Sequence, residues 1–262
     1  MSRALGDQRP WIVRALSILV LLLLWEGAGR LAANPLAPPA SVVLAAMARE
    51  VASGALPHHV GITLARVAAS FTLAMALGTA LGLAMGWWRT VDLWLDSALL
   101  LLLNLPALVL IVLLYVWFGL TEAAAITAVA LNKLPTTAVT VREGVRALDD
   151  ELLEMGRAYR LGRWATLRHV ILPQLHPYLF AATRSGLSLI WKIVLVVELL
   201  GRSDGVGFQI QVYFQLFDVT HILAYALAFI LIVQVLEWAI LQPLERRFVR
   251  WRVGPDHARR RQ

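Results

Sequence analysis

Cysteine is absent from the 262 residues, which excludes a disulfide framework, a thiolate metal site and a cysteine nucleophile. Charge is scarce too, at 16% of residues against about a quarter in soluble domains. Lysine is all but missing, and the two that occur, Lys133 and Lys192, both fall inside apolar runs. Neither follows a glycine and no G-x-x-x-x-G-K-[ST] occurs, so the chain has no phosphate-binding loop of its own. H-E-x-x-H and G-x-S-x-G are equally absent. The adjacent His58 and His59 would point about 100° apart on a helix, which reads as a solvated pair rather than a metal site. What fills the chain instead is apolar: 59% of residues are hydrophobic, in runs long enough to span a bilayer. With no water in hydrocarbon to satisfy the backbone, such runs must be helical, and the expected class is an all-α polytopic membrane protein.

The first apolar run, 11–31, is interrupted only by Arg14 and imitates the core of a signal peptide. The lack of a small-x-small site close to its end favours an uncleaved span. A proline-rich break at 34–39 precedes a short amphipathic helix at 41–50, with Val42, Val43, Ala46 and Met47 on its apolar face. Five more stretches follow, at 61–88, 93–118, 123–141, 175–200 and 222–241, each able to cross about 30 Å of hydrocarbon at about 1.5 Å per residue. Six spans result. Trp87, Trp88, Trp94, Trp117 and Trp238 sit near their ends, where aromatic belts form. Gly78, Gly82 and Gly86 share one face of the second span, a surface for close helix packing. With the N-terminus inside, seventeen arginines fall in cytoplasmic segments and only Arg30, Arg49 and Arg202 outside. That asymmetry accounts for the net charge of +7 without nucleic acid. The expected organisation is a cytoplasmic arm at 1–10, a transmembrane domain at 11–245 with a cytoplasmic loop at 142–173, and a basic cytoplasmic tail at 246–262.

The loop is the longest polar interval between spans and carries six arginines from Arg142 to Arg168. Asp149 is placed to cap a helix, with Asp150 and Glu151 in the first turn, where carboxylates complement the helix dipole. Leu152, Met155, Gly156 and Tyr159 then form a narrow apolar stripe beside Glu154, Arg157 and Arg160. Gly162 can supply the left-handed residue that ends this helix, and Trp164, Leu167 and Ile171 mark a second short helix stopped by Pro173. A basic amphipathic pair of this kind can lie on lipid headgroups or engage a protein, and periodicity alone leaves both open.

With six spans placed and Glu154 inside, between the fourth and fifth, the chain resembles the membrane subunit of bacterial ABC importers of the binding-protein-dependent class. Within it, the nitrate, sulfonate, taurine and bicarbonate permeases look nearest. That family's loop reads E-A-A, three residues, G, nine residues, I, one residue, L-P. Glu154, Val170, Leu172 and Pro173 stand in register with it, while Met155 and Gly156 replace the alanines. Arg160 replaces the glycine, and the nearest glycine, Gly162, comes two positions later. PLAPPASVVLAAM, RVAASFTLAMALGTALGLAMGW, WKIVLVVELLG and GVGFQI are similar to the same branch, so the likeness covers most of 25–244.

The resemblance implies a type I ABC importer permease fold with six transmembrane helices, a non-enzymatic subunit of the bacterial inner membrane with both termini cytoplasmic. It implies a homodimer whose interface forms the path, and a periplasmic or lipid-anchored solute-binding protein. Two cytoplasmic ATPase subunits would bind ATP and magnesium, and this chain would hold no cofactor. By the same resemblance Glu154, Gly156, Tyr159, Arg160, Leu161, Gly162 and Trp164 contact the ATPase, and the solute is a small anion such as a sulfonate, nitrate or taurine.

The two lysines bear on that solute. A charged group at mid-helix costs about 2.5–3.5 kcal/mol on insertion scales, so it normally faces a polar cavity or a partner. Helical rise puts Lys133 roughly 18 Å from Thr121 and Lys192 about 12 Å before Leu200, which allows the two to meet at similar depth. Asn132, Lys133, Ser185, Ser188 and Lys192 are the candidate path residues. Snorkelling of Lys133, or pairing of Lys192 with Glu198, is the competing explanation. Trp191 and Glu198, seven apart and following Arg184 at the same spacing, form a second stripe suited to a gate or a subunit interface. The alternative function is a secondary transporter or channel working without an ATPase. It calls for a mid-span carboxylate or an inverted repeat, and Glu122 and Glu198 fall near span ends. A membrane-embedded enzyme lacks a nucleophile–base pair.

Overall fold

The computed structural model describes residues 10–241, and every regular element among them is helical. The arm at 1–9 and the basic tail lie outside the described residues. Helix α1 (Pro10–Ala32) is joined by the proline-rich break to α2 (Ala40–Ala52), and Trp25 Nε1 donates to the Pro38 carbonyl at 3.0 Å to hold the turn. Then come α3 (Ala55–Trp87), α4 (Arg89–Asn104), α5 (Ala107–Phe118) and α6 (Glu122–Arg146). The loop helix α7 (Asp150–Ala158) leads to a one-turn helix α8 (Arg163–Thr166), which runs on into α9 (Leu172–Gly201). A short α10 (Val206–Gln215) and the long α11 (Val219–Leu236) complete the chain.

Among the described residues four helices are long and apolar enough to cross a bilayer: α3, α6, the continuous helix Arg163–Gly201, and α11 extended to Ala239. The count rises to five if α4 and α5 form one span. They do not form the straight helix expected at 93–118, because the chain bends by 102° between them. The cause is Pro106, which has no N–H to donate and forces Leu105 into an extended conformation (φ −69°, ψ 122°). A second correction concerns Pro173. It does not stop a helix but sits in the first turn of α9, where its missing N–H is tolerated, and a π-helical turn at Leu167–Ile171 carries α8 smoothly into it. The helix from Arg163 therefore runs unbroken out of the loop and through the bundle.

Small residues set how closely α3 and α6 approach. A Cβ added at Gly78 would lie 2.7 Å from Thr137 Cβ, one at Gly82 2.5 Å from the Ala138 carbonyl, and one at Gly86 2.5 Å from Val145 Cβ. The glycine ladder is thus the seam between these two helices, as its spacing predicts. The same economy appears against α9, where Gly144 of α6 takes the ring of Tyr178 of α9 and Gly201 of α9 takes that of Tyr115 of α5. The Tyr115 hydroxyl donates to the Val197 carbonyl at 2.9 Å and ties α5 to α9. The main core gathers Leu110, Ile111 and Leu114 of α5, Val129 of α6, Ile190 and Val194 of α9 and Tyr225 of α11. The Tyr225 hydroxyl donates to Glu50 Oε2 at 2.8 Å, which fastens α2 across α11. At one end of the seam Arg142 holds Asp92 at 3.0 Å and Asp96 at 2.6 Å, bracing α6 against α4.

Candidate functional site

The loop is a small, well-terminated structure. Asp149 Oδ1 accepts from the Glu151 and Leu152 amides at 2.9 and 3.4 Å, and the Asp149 amide donates to Gln174 Oε1 at 2.8 Å. Gln174 in turn donates to the Val170 carbonyl at 3.0 Å, so the start of α7 is anchored to α9. The end of α7 departs from expectation. Gly162 is extended (φ −62°, ψ 158°), and the left-handed residue is Arg160, with φ 51°. The Arg160 amide donates to the Arg157 carbonyl and the Leu161 amide to the Gly156 carbonyl, each at 2.9 Å. That pairing is a Schellman turn, whose left-handed position normally takes glycine. Arg160 occupies the position where the resembled loop pattern carries its glycine, so the backbone shape of the pattern is kept although its residue is not.

Around this turn Leu152, Met155, Tyr159, Leu161 and Trp164 are exposed, Tyr159 at 77% and Trp164 at 71%. Glu154, Arg160 and Gly162 are exposed beside them. Gly156 alone of the expected contact residues is buried, facing Leu161 and Val170. The stripe read from the sequence therefore points outward from the bundle and presents a knob of two aromatic and three aliphatic side chains on a capped helix.

At the far end of α9 lies a cluster that periodicity alone did not reveal. Arg66 of α3 is 3% exposed and Glu198 of α9 is fully buried, and they pair at 2.8 Å. Arg66 also forks onto Glu122 of α6 at 2.7 and 2.9 Å, donates to the Asp204 carbonyl at 2.8 Å and pairs with the Asp204 carboxylate. Glu198 Oε2 accepts from Thr63 Oγ1 and from the Gly207 amide, each at 2.9 Å, and Thr63 Oγ1 accepts from the Val206 amide at 2.9 Å. The turn between α9 and α10 folds over this carboxylate so tightly that a Cβ at Gly205, whose φ is 102°, would stand 2.4 Å from it. Arg202 completes the group with a 2.8 Å pair to Glu122. His59 is not solvated as expected: its Nδ1 accepts from the Gly205 amide at 3.1 Å and its Nε2 lies 2.7 Å from Gln209. The signal was available, since Arg66 and Glu198 are opposite charges inside apolar runs, where an ionisable group needs a partner.

The candidate path residues separate into two ranks. Lys133 is 1% exposed and donates to Ser185 Oγ at 3.1 Å, with its chain laid over Gly186. Lys192 is exposed, as are Ser185 and Ser188, and Asn132 is half-buried. The lysines do not share a depth: Lys133 stands beside Gly186, six residues or about 9 Å along α9 from Lys192. Trp191 is buried edge-to-face against Phe229 of α11 at 6.2 Å, so it and Glu198 both face the inside of the single chain.

The family described as "binding-protein-dependent transport system inner membrane component" matches residues 74–242. The chain belongs to this family. It is 29% identical over 245 residues to the putative aliphatic sulfonates transport permease SsuC of Bacillus subtilis (strain 168), covering 92% of this chain and 88% of that one. To the SsuC of Escherichia coli (strain K12) it is 32% identical over 92% of this chain and 91% of the other, and to the taurine permease TauC of the same strain 28% over 74% and 70%. Among solved structures, an amino acid ABC transporter aligns with a TM-score of 0.59 at 21% identity over 72% of this chain and 92% of that one. The MetNI methionine ABC transporter, in an inward-facing form, aligns at 0.58 and 20% over 71% and 92%. The fold is that of the type I ABC importer permeases, and this permease is a non-catalytic membrane subunit.

Proposed function

We propose that this permease is the membrane half of an ATP-driven importer for a small organic anion, working as a homodimer with two cytoplasmic ATPase subunits and a solute-binding protein. The observation that carries the proposal is the outward-facing knob of α7. A helix capped at Asp149, closed at Arg160 and anchored through Gln174 to a 39-residue continuous helix can pass a partner's movement to the bundle as rigid-body motion. Five exposed apolar side chains there are otherwise idle. In this reading Glu154, Tyr159, Arg160, Leu161, Gly162 and Trp164 touch the ATPase, and Gly156 supports them from behind. ATP and magnesium belong to that partner. Both termini and the loop are cytoplasmic, and α1, whose residues 18–24 are all exposed, is the sixth span.

The anionic solute is supported by relatives named for aliphatic sulfonates. A relative of Chloroflexus aurantiacus at 28% identity is named for riboflavin, so overall likeness alone does not choose the solute. The test uses the full chain coexpressed with a candidate ATPase subunit from the same organism. Glu154→Lys and Trp164→Ala should insert normally and lose copurification with that ATPase at least about tenfold, the equivalent of roughly 1.4 kcal/mol. Gly162→Pro should insert and keep the loop's fold, because φ at this position already suits proline. Full copurification of both disruptive variants would refute the docking site.

A further inference from the structure

We infer that the stripe Ser185, Ser188 and Lys192 on α9, backed by Lys133, binds a small, singly charged organic anion, and that the same stripe of a second copy of this chain completes the site. The inference rests on the importer reading and names the groups that would hold its solute. The three residues recur at i, i+3 and i+7 and so share one face of the helix. All three are exposed, and Leu189 and Val196 are exposed beside them. A face that met lipid would be apolar at its centre, and this one is polar there. Ser188 and Lys192 make no hydrogen bond or ion pair among the described residues.

Lys133 supplies the independent observation. It is among the largest fully buried side chains, no acid pairs with it among the described residues, and its ammonium donates to Ser185. A buried cation without a counter-ion is electrostatically incomplete, and the direction in which it is incomplete is towards an anion. It is also placed to act through the stripe. The Ser185 hydroxyl accepts from Lys133 at 3.1 Å and donates to the Ala182 carbonyl at 3.2 Å, and by rotating it can exchange that carbonyl for a ligand, to which a hydroxyl that accepts from an ammonium is the stronger donor. Lys192, Ser188 and Ser185 thus form a ladder of donors spread over about 10 Å of helix.

The second copy follows from the homodimer reading, with this exposed polar face turned towards its counterpart. Two such stripes facing each other would bring two Lys192 ammoniums together, which is repulsive when the site is empty and attractive around an anion. Such a site excludes cations by construction. A head with several acceptor oxygens suits one ammonium and two hydroxyls, and Leu189 and Val196 suit a short alkyl tail.

The chain has no cysteine, so Ser188→Cys in the full-length protein, reconstituted in phosphatidylcholine vesicles, is a single reporter. The 2-sulfonatoethyl methanethiosulfonate anion should modify it at least about tenfold faster than the trimethylammonium counterpart, given a unit charge within several ångströms. Lys192→Gln should bring the two rates together, and ethanesulfonate should slow both. A bifunctional methanethiosulfonate should join two Ser188→Cys chains into a covalent dimer. Equal rates with Lys192 in place overturn the anion site. Reaction only with a lipid-soluble maleimide overturns it too, by placing the stripe in lipid. Exclusively monomeric product from the bifunctional reagent removes the second copy from the site. None of these readouts needs the ATPase, so their failure is separate from failure of the docking proposal.

Discussion

At the α10 end of α9, Arg66 and Arg202 are met by Glu122, Glu198 and Asp204, with Thr63 and the Gly207 amide taking up the second oxygen of Glu198. Two to three turns back along the same helix, Lys133 and Lys192 have no acid at all among the described residues. Both regions place charge where water is scarce, and they resolve the cost in opposite ways. Complete pairing turns charge into an anchor that joins α3, α6 and α9 to the α10 turn. Incomplete pairing leaves charge available to something that arrives from outside the chain.

The comparison can be broken most forcefully at Glu198. Arg66→Ala leaves the fully buried Glu198 without its cation and should lower stability by about 3–5 kcal/mol, while Arg66→Met with Glu198→Met should recover much of the loss. The midpoint of unfolding in mixed micelles, followed by circular dichroism, reads both. A near-neutral Arg66→Ala would remove the distinction between the two regions. Lys133→Met should shift the same midpoint the other way, by about 1–2 kcal/mol, the insertion cost of a buried cation less one hydrogen bond. A destabilised Lys133→Met would mean that Lys133 is structural after all. Solute-dependent uptake should fall in that variant even as stability rises.

A smaller effect sharpens the anchored side. Burial works to raise the Asp204 carboxyl, but hydrogen bonding and charge from Arg66, then Arg202 and His59, outweigh it and hold its pKa below the usual 3.8. Its folded value being the lower one, its contribution is complete above the unfolded value and is lost as pH falls through the folded value. Protection of the Val206 amide, which donates to Thr63 and not to His59, should therefore hold from neutrality down to about pH 4 and drop only below that. Loss of protection already between pH 7 and 5 would assign the anchor to another group. The smallest effect belongs to neither region and serves as their control. Arg160→Gly relieves a left-handed residue and should stabilise α7 by about 1 kcal/mol, read as slower amide exchange in that helix.

Some of this was legible along the chain and some was not. The glycine ladder, the Asp149 cap and the outward aromatic residues of the loop follow from spacings of three or four residues, which a helix converts directly into faces and ends. Pro106 was legible too, but it lies in so long an apolar run that continuity outweighed it, and the 102° bend came from the proline. Arg160 shows the reverse case. A glycine two residues away looked like the obvious turn former, yet the hydrogen bonds from Arg160 and Leu161 back to α7 fixed the left-handed residue by position and not by type. The two lysines were expected at one depth because heights of roughly 18 and 12 Å were treated as equal; α6 and α9 do meet level at that end, where Arg202 donates to the Leu120 carbonyl, so the difference in height is kept.

By itself, then, the amino-acid order determined the helical class, the bilayer-length runs and the shape of the loop, since each depends on residues within a turn or two of one another. The meeting of Arg66 with Glu198, 132 positions apart, and the isolation of Lys133 from every acid among the described residues were decided only when the helices packed. Interhelical register is set by close-packed contacts such as Gly82 on Ala138 and Gly186 on Lys133, and no local periodicity encodes which rung of one helix faces which rung of the next.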